Sequence, residues 1–126
     1  MIPKFRAWDG SSLCRMYSPE EVMVCDSDIW IFDEDSESNE WIVNNDLVLM
    51  QSTGLTDKHG KEIFEGDILG TKDGLLNGVV KFNIDLGMWT NSLLRYNNFE
   101  RLCSIANSRE IIGNIHTNPE LLEVGQ

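Results

Sequence analysis

The second half of the chain contains a segment in which apolar and polar positions alternate. Residues 78–85 read GVVKFNID, where Val80, Phe82 and Ile84 stand at every second position. A period of two is typical of a half-buried strand. The following Leu86-Gly87 favours a tight reversal, after which residues 88–90 can pair back. The pattern therefore predicts a β-hairpin in this region.

Six further segments are rich in Ile, Val and aromatic residues, which are favoured on a packed, pleated surface. They are predicted strands at residues 4–8, 13–17, 29–32, 41–43, 47–51 and 110–116. Glycines recur at intervals of four to six between Gly54 and Gly78, and each costs a helix about 1 kcal/mol relative to alanine. A helix across this region is excluded.

Short helical segments are predicted at three places. Ser18-Pro19 and Asn118-Pro119 each combine a capping residue with a proline at the first helical position. Residues 98–106 place Phe99, Leu102, Cys103 and Ala106 on one helical face. Many short strands with two or three short helical pieces predict a mainly β fold, with α+β at the margin.

Length and composition predict one domain over residues 1–126, with a subdivision into 1–52 and 53–126 as the alternative. The 126 residues are 41% hydrophobic, enough for a single core, and no linker is apparent. No apolar run approaches the roughly 18 residues of a membrane span, and the first residues lack the pattern of a signal peptide. The three cysteines, an odd number without a close pair, predict reduced and mostly buried thiols. We expect a cytoplasmic protein without membrane contact.

The chain is strongly acidic, with 21 acidic and 10 basic residues and a formal charge of −11. Because nucleic-acid binders neutralise phosphates with Lys and Arg, direct nucleic-acid binding is not expected. An acidic patch is predicted in the first half of the chain; it comprises Asp33, Glu34, Asp35, Glu37 and Glu40. It is interpreted as a solvated loop, with a basic partner or a nucleic-acid mimic as alternatives.

The segment TGLTDKHGKEIFEGDIL, residues 53–69, combines glycines, both charge signs and a histidine. Asp57 and His59 precede Gly60, and Glu65 and Asp67 flank Gly66, which is the composition of chain reversals. These four residues are therefore predicted to form a structural loop, with ligand contact as the alternative.

Catalytic and cofactor motifs are missing from the sequence. The acidic segment has Ser38 where a calcium-binding loop needs glycine, and residues 70–74 lack the P-loop spacing. The cysteines and histidines form no paired zinc motif, and no G-x-S-x-G is present. No catalytic residue, metal site or cofactor is predicted. The four tryptophans are interpreted as core residues, with an aromatic binding surface as the alternative.

Three separate stretches carry a resemblance to a known family, namely KFRAWD (4–9) followed by Met16-Tyr17, LMQSTGLTDKHGKEIFEGDI (49–68) and EIIGNIHTNPELL (110–122). Together they resemble the YopX family of small bacteriophage and prophage proteins. The chain departs from the family pattern at a few positions, namely Ser52, Phe64, Ile111, His116 and Thr117. The resemblance implies a mainly β fold with a part like an SH3-like barrel after the EGDI turn, and the cytoplasm of an infected bacterium. It carries no catalytic residue over to this chain.

Three functions follow as hypotheses. The first is a non-enzymatic module that binds a host or phage protein or assembles into a homo-oligomer. The second is an acidic decoy that mimics nucleic acid and occupies the basic cleft of a host DNA-binding or defence protein. The third, an enzyme of unknown class, is the least favoured because the motifs are missing.

Overall fold

The structure of the chain is a computed structural model, which describes residues 3–11, 13–32 and 40–123. Strands make up 50% and helical segments 12% of it, and the fold includes a curled half-barrel sheet. The predicted mainly β fold is thus confirmed. The strands are β1 (Phe5–Asp9), β2 (Arg15–Tyr17), β3 (Val22–Cys25), β4 (Asp28–Phe32), β5 (Trp41–Val43), β6 (Val48–Thr56), β7 (Glu62–Phe64), β8 (Asp67–Gly70), β9 (Gly78–Asn83), β10 (Met88–Leu93), β11 (Phe99–Arg101) and β12 (Glu110–Asn114). The helical segments are one α-helix, α1 (Leu102–Ile105), and 3-10 turns at Pro19–Glu21, Ala106–Ser108 and Pro119–Leu122.

The chain divides into two compact units, an N-terminal unit, Met1–Gln51, and a C-terminal unit, Ser52–Gln126. The division falls one residue before the subdivision that the sequence suggested as an alternative to one domain. Strand β6 belongs to both units, because its first half pairs with β1 and its second half with β7.

The N-terminal unit contains an antiparallel three-stranded sheet in the order β3-β4-β5, and strands β2 and β1 pair beside the first half of β6. Its core is formed by Ala7, Tyr17, Ile31 and Leu47. Ser18 starts the first 3-10 turn, where its backbone N–H donates to Glu21 Oε1 at 3.0 Å. Ser18 and Pro19 thus begin the short helical segment that the sequence predicted at this place.

The C-terminal unit contains a five-stranded antiparallel sheet in the order β11-β10-β9-β8-β12. Its core brings together Ile63, Leu69, Val80, Leu102 and Ala106. The predicted hairpin is present as β9 and β10. Glycine at position 87 takes a positive φ of 63° in the intervening turn, a conformation that few other residues adopt readily.

The predicted alternation in β9 is only partly correct. Val79 and Val80 are both buried, whereas Phe82 is 45% and Ile84 85% exposed. The reason is that the first half of β9 lies between β8 and β10, while β8 pairs only with Gly78 and Val79. Ile84 lies beyond the end of the strand, in the turn.

The predicted helix over 98–106 is wrong in its first part. Phe99–Arg101 is strand β11, which pairs with β10, and helical structure begins only at Leu102. Long-range pairing to β10 overrides the local helical pattern here. Leu102 and Ala106 still share the buried side of the helical segment.

The prediction of buried cysteines is also wrong, because Cys14, Cys25 and Cys103 are all exposed. Cys25 ends strand β3 next to a turn, and Cys103 is exposed in α1 between the buried Leu102 and the exposed Ser104.

The interpretation of the tryptophans as core residues needs correction too. Trp41 is exposed and the other three are half-buried. Trp89 packs against the C-terminal core, consistent with the interpretation for that residue alone.

Candidate functional site

Asp57 closes the first turn of the predicted loop. Its Oδ1 accepts hydrogen bonds from the backbone N–H groups of His59 and Lys61, each at 2.9 Å. Its Oδ2 accepts from the N–H of Ile111 in β12 at 3.1 Å, and Asp57 is only 3% exposed. Gly60 completes the turn with a φ of +79°. The carboxylate therefore ties this turn to a strand distant in sequence.

The charge of Asp57 is stabilised by these backbone donors. Burial by itself raises the pKa of the carboxyl, but the N–H groups of Ile111, Lys61 and His59 outweigh that effect and the pKa is lowered. Both carboxylate oxygens accept hydrogen bonds from backbone N–H groups, so the geometry gives Asp57 a structural role.

Glu65 lies in a second turn, between β7 and β8, and Asp67 is the first residue of β8 after that turn. Asp67 is buried, and its Oδ2 accepts from the backbone N–H of Phe64 at 2.7 Å. Gly66 has a φ of +86°, and its N–H donates to the carbonyl of Val80 at 2.9 Å. The predicted loop residues thus belong to two separate turns, and Glu65 is half-buried in the second.

The two histidines occupy different places. His59 Nε2 lies 3.2 Å from Glu110 Oε1, and both side chains are about half exposed. The backbone N–H of His116 donates to Asn114 Oδ1 at 3.0 Å. Over the described ranges no three His, Cys, Asp or Glu side chains cluster in a way that would hold a metal ion.

The predicted acidic patch lies almost wholly outside the described residues. Asp33, Glu34, Asp35 and Glu37 belong to the segment 33–39, between β4 and β5. Glu40 is described and exposed, immediately before β5.

A buried polar network in the C-terminal unit was missed by the sequence analysis. The Arg109 guanidinium makes two hydrogen bonds of 2.6 Å with the two carboxylate oxygens of Glu100. Asn91, which is fully buried, donates from Nδ2 to Glu100 Oε1 at 3.0 Å. The Arg109 hydrogen bonds outweigh the effect of burial and lower the pKa of Glu100. The three residues lie on different elements, so no short motif marks them.

The three-stranded sheet of the N-terminal unit exposes an apolar face. Residues directly opposite each other on neighbouring strands lie on the same face of a sheet. In this sheet Met23 is opposite Trp30, Trp30 is opposite Val43, and Phe32 is opposite Trp41. These five residues are called the outer face. Met23, Trp41 and Val43 on it are 43%, 39% and 45% exposed.

The opposite face of the same sheet supplies the core of the unit. Ile31 is buried there, and Val22 and Ile29 pack against the same cluster. On the outer face, the rings of Phe32 and Trp41 pack with centroids 5.6 Å apart. The sheet therefore contributes Ile31 to the core on one side, where Val24 and Ile42 stay 42% and 49% exposed, and presents aromatic and aliphatic side chains on the other.

The segment of the sequence that forms this sheet carries acidic residues and no basic ones. Residues 16–57 contain no Lys, Arg or His, and residues 1–51 contain eleven acidic and three basic residues. Among the described acids near the sheet, Asp28 belongs to β4, Asp26 to the preceding turn, and Glu40 and Asp46 flank β5 on either side. The outer face is thus an apolar surface in an acidic setting.

Comparisons with known proteins agree with the fold. The family model described as YopX protein matches residues 4–123. The crystal structure of protein EF1440 from Enterococcus faecalis is similar, with a TM-score of 0.59 and 30% identity, covering 98% of this chain and 99% of that one. Protein yopX from Bacillus subtilis has the same TM-score at 18% identity, covering 95% and 98% of the two chains, and supports the fold alone. No significant match to a curated protein was found. Since the family model spans nearly all of the sequence, the chain belongs to the YopX family.

Proposed function

We propose that this protein is a non-enzymatic protein-binding module and that its outer face is the binding surface. The observation that carries the proposal is the side-by-side exposure of Met23, Trp41 and Val43 on one sheet face. Exposed apolar patches of this kind mark interaction surfaces, and tryptophan is enriched among the residues that dominate binding energy.

The predicted loop residues support a non-enzymatic role. Asp57 and Asp67, the two buried acids of that loop, accept hydrogen bonds from backbone N–H groups. Carboxylates committed to the backbone in this way serve turn geometry, and a general acid or base needs a free position beside a substrate. The proposal therefore includes no catalytic residue and no cofactor.

The acidic decoy is the second candidate, favoured by the lack of any cation over residues 16–57. A mimic of nucleic acid presents rows of carboxylates to its target, whereas the outer face presents aromatic and aliphatic side chains. We therefore rank a protein contact with an apolar centre and an acidic rim above a phosphate mimic.

The origin of the protein and its location in the cell are also proposals. Similarity to the YopX family favours a phage or prophage origin and action in the bacterial cytoplasm. Among the described residues, the helices are all too short or too polar to cross a membrane. The high negative charge opposes direct nucleic-acid binding.

The test uses a matched pair of surface variants. Trp41→Ser removes the most exposed aromatic of the outer face, and Leu86→Ser removes an exposed apolar side chain of the C-terminal unit. A partner is identified by cross-linking in cells that express the chain, purified, and titrated by calorimetry. We expect Trp41→Ser to weaken binding by roughly 2 kcal/mol or more, and Leu86→Ser to leave it unchanged.

Equal affinity of wild-type and Trp41→Ser protein for every purified partner overturns the outer-face assignment. Light scattering of the chain alone examines the homo-oligomer alternative. A stable dimer that Trp41→Ser dissociates would make a second copy the partner.

A further inference from the structure

Strand β3 is an edge strand of its sheet, and the 3-10 turn covers its start, where the N–H of Val22 donates to the carbonyl of Pro19. The turn to β4 consists of Asp26 and Ser27, whose φ angles of 52° and 68° are typical of a two-residue hairpin turn. In such a hairpin the flanking residues, Cys25 and Asp28, are hydrogen-bonded to each other. The next pair, Val24 and Ile29, is then a non-hydrogen-bonded pair.

The contacts of Ile29 agree with this pattern. Its N–H donates to Asn45 Oδ1 and its carbonyl accepts from the N–H of Asn44, both at 2.8 Å. Both backbone groups of Ile29 thus point away from β3. By the alternation of the ladder, the N–H and carbonyl of Val24 point away from β4, toward the free edge. No described residue makes a hydrogen bond to either group.

A groove of about 590 Å³ follows this edge. Its lining is mostly apolar and consists of Val22, Met23, Val24, Pro19, Pro3, Lys4 and Phe5. Since successive side chains of a strand point to opposite faces, a groove that three consecutive residues all line runs along the edge of the strand.

We propose that this groove receives an extended segment of a partner protein, which adds to β3 as a fourth strand of the sheet. The inference rests on the proposed function and deepens it by naming how the partner binds. Main-chain hydrogen bonds to Val24 supply the strand pairing, and alternate apolar side chains of the segment fill the groove. An exposed edge with unpaired backbone groups is the known template for such pairing.

The charges near β3 indicate which residues the bound segment carries. Glu20 and Glu21 directly precede β3 and Asp26 directly follows it, Glu21 being paired with Arg15 at 2.8 Å, and Lys4 is the charged residue in the groove lining. The unit as a whole has eight more acidic than basic residues over positions 1–51. A segment with Lys or Arg between its apolar residues is therefore favoured, and a second copy of this acidic unit is disfavoured.

The test uses a short blocked peptide in which valine alternates with lysine and threonine, titrated by fluorescence and by NMR of the labelled chain. We expect saturable binding with amide shifts centred on Val22, Met23 and Val24. Methylating the peptide nitrogens that face β3 removes hydrogen-bond donors and leaves the charge of the peptide unchanged. We expect it to weaken binding roughly tenfold, because well-formed hydrogen bonds are lost.

The matched protein variants are Val24→Pro and Val24→Thr. Proline removes the outward N–H without breaking the ladder to β4, whereas threonine keeps the backbone intact. We expect Val24→Pro to weaken peptide binding roughly tenfold and Val24→Thr to keep it within about twofold. If Val24→Pro does not fold, the methylated peptide alone decides, because it leaves the protein unchanged.

The inference is overturned by no peptide binding to the wild-type chain, by equal binding of the methylated peptide, or by a self-dimer that Val24→Pro dissociates. The outer face is tested separately, because Trp41→Ser is expected to bind the peptide normally. Failure of strand addition and failure of the proposed outer face are thereby distinguished.

Discussion

The guanidinium of Arg109 and the carboxylate of Glu100 form two parallel hydrogen bonds of 2.6 Å. Glu100 lies in β11 and Arg109 lies just before β12, so the pair connects the two outermost strands of the sheet in the C-terminal unit. The Arg109 side chain is 8% exposed, and Asn91 adds a third hydrogen bond to the carboxylate. The pair is expected to be a structural element of this unit.

Replacing Glu100 by glutamine is expected to destabilise the protein by about 2–3 kcal/mol, because it leaves the buried guanidinium without its counter-charge. Urea unfolding followed by tryptophan fluorescence measures the change. Arg95→Gln is the matched control, since Arg95 is exposed, and it is expected to stay within about 0.5 kcal/mol of wild type. A Glu100→Gln protein as stable as the control would contradict the assigned role.

Asp57→Asn is expected to lower stability near neutral pH by about 1–3 kcal/mol, since an amide has one oxygen where the carboxylate uses two. The pKa of Asp57 is lowered in the folded state, so its contribution is complete above the ordinary value of 3.8. The contribution is lost as pH falls through the depressed folded pKa. The difference in free energy of unfolding between wild type and Asp57→Asn should therefore become smaller below pH 3.8. Urea unfolding at several pH values measures it. A stability difference that stays constant on acidification would argue against a charge effect. The control is Asp85→Asn, because Asp85 is exposed.

Replacing Gly78 by alanine is expected to lower stability more than replacing Gly60 by alanine. At Gly78 a Cβ would lie 2.4 Å from Asn91 Oδ1 and 2.6 Å from the carbonyl oxygen of Ser92, so backbone must move, at a cost of about 2–3 kcal/mol. At Gly60 nothing lies within 4 Å, and only the positive φ is unfavourable, at about 1 kcal/mol. Calorimetric melting of both variants tests the order. A larger loss for Gly60→Ala would show that close packing at Gly78 relaxes easily.

All three cysteines are expected to react with a thiol reagent in the folded protein, because all three are exposed. Titration without denaturant should give the same number of thiols as titration in denaturant. Cys103→Ser should remove one of them. A thiol that reacts only after unfolding would restore the original prediction of burial for that residue.

Local sequence patterns predicted much of the fold because they depend on near neighbours. The alternating residues 78–85 predicted strand β9, which ends at Asn83. Gly60 and Gly66 supply the positive φ of their turns, and Ser18 with Glu21 starts a 3-10 turn. Charge sign and family resemblance are likewise properties of the sequence alone. Strand β3 was missed although its residues, VMVC, are apolar, because the run is short and ends in exposed positions.

Tertiary structure alone decided which residues meet and which remain exposed. Asp57 and Ile111 are far apart in sequence, and Asn91, Glu100 and Arg109 come from three elements, so no spacing brings them together. Whether Trp41 or Cys103 is buried depends on what covers one side of a strand or helix. Backbone preference is set within a few residues, whereas strand partners and coverage are set by the free energy of packing over the whole unit.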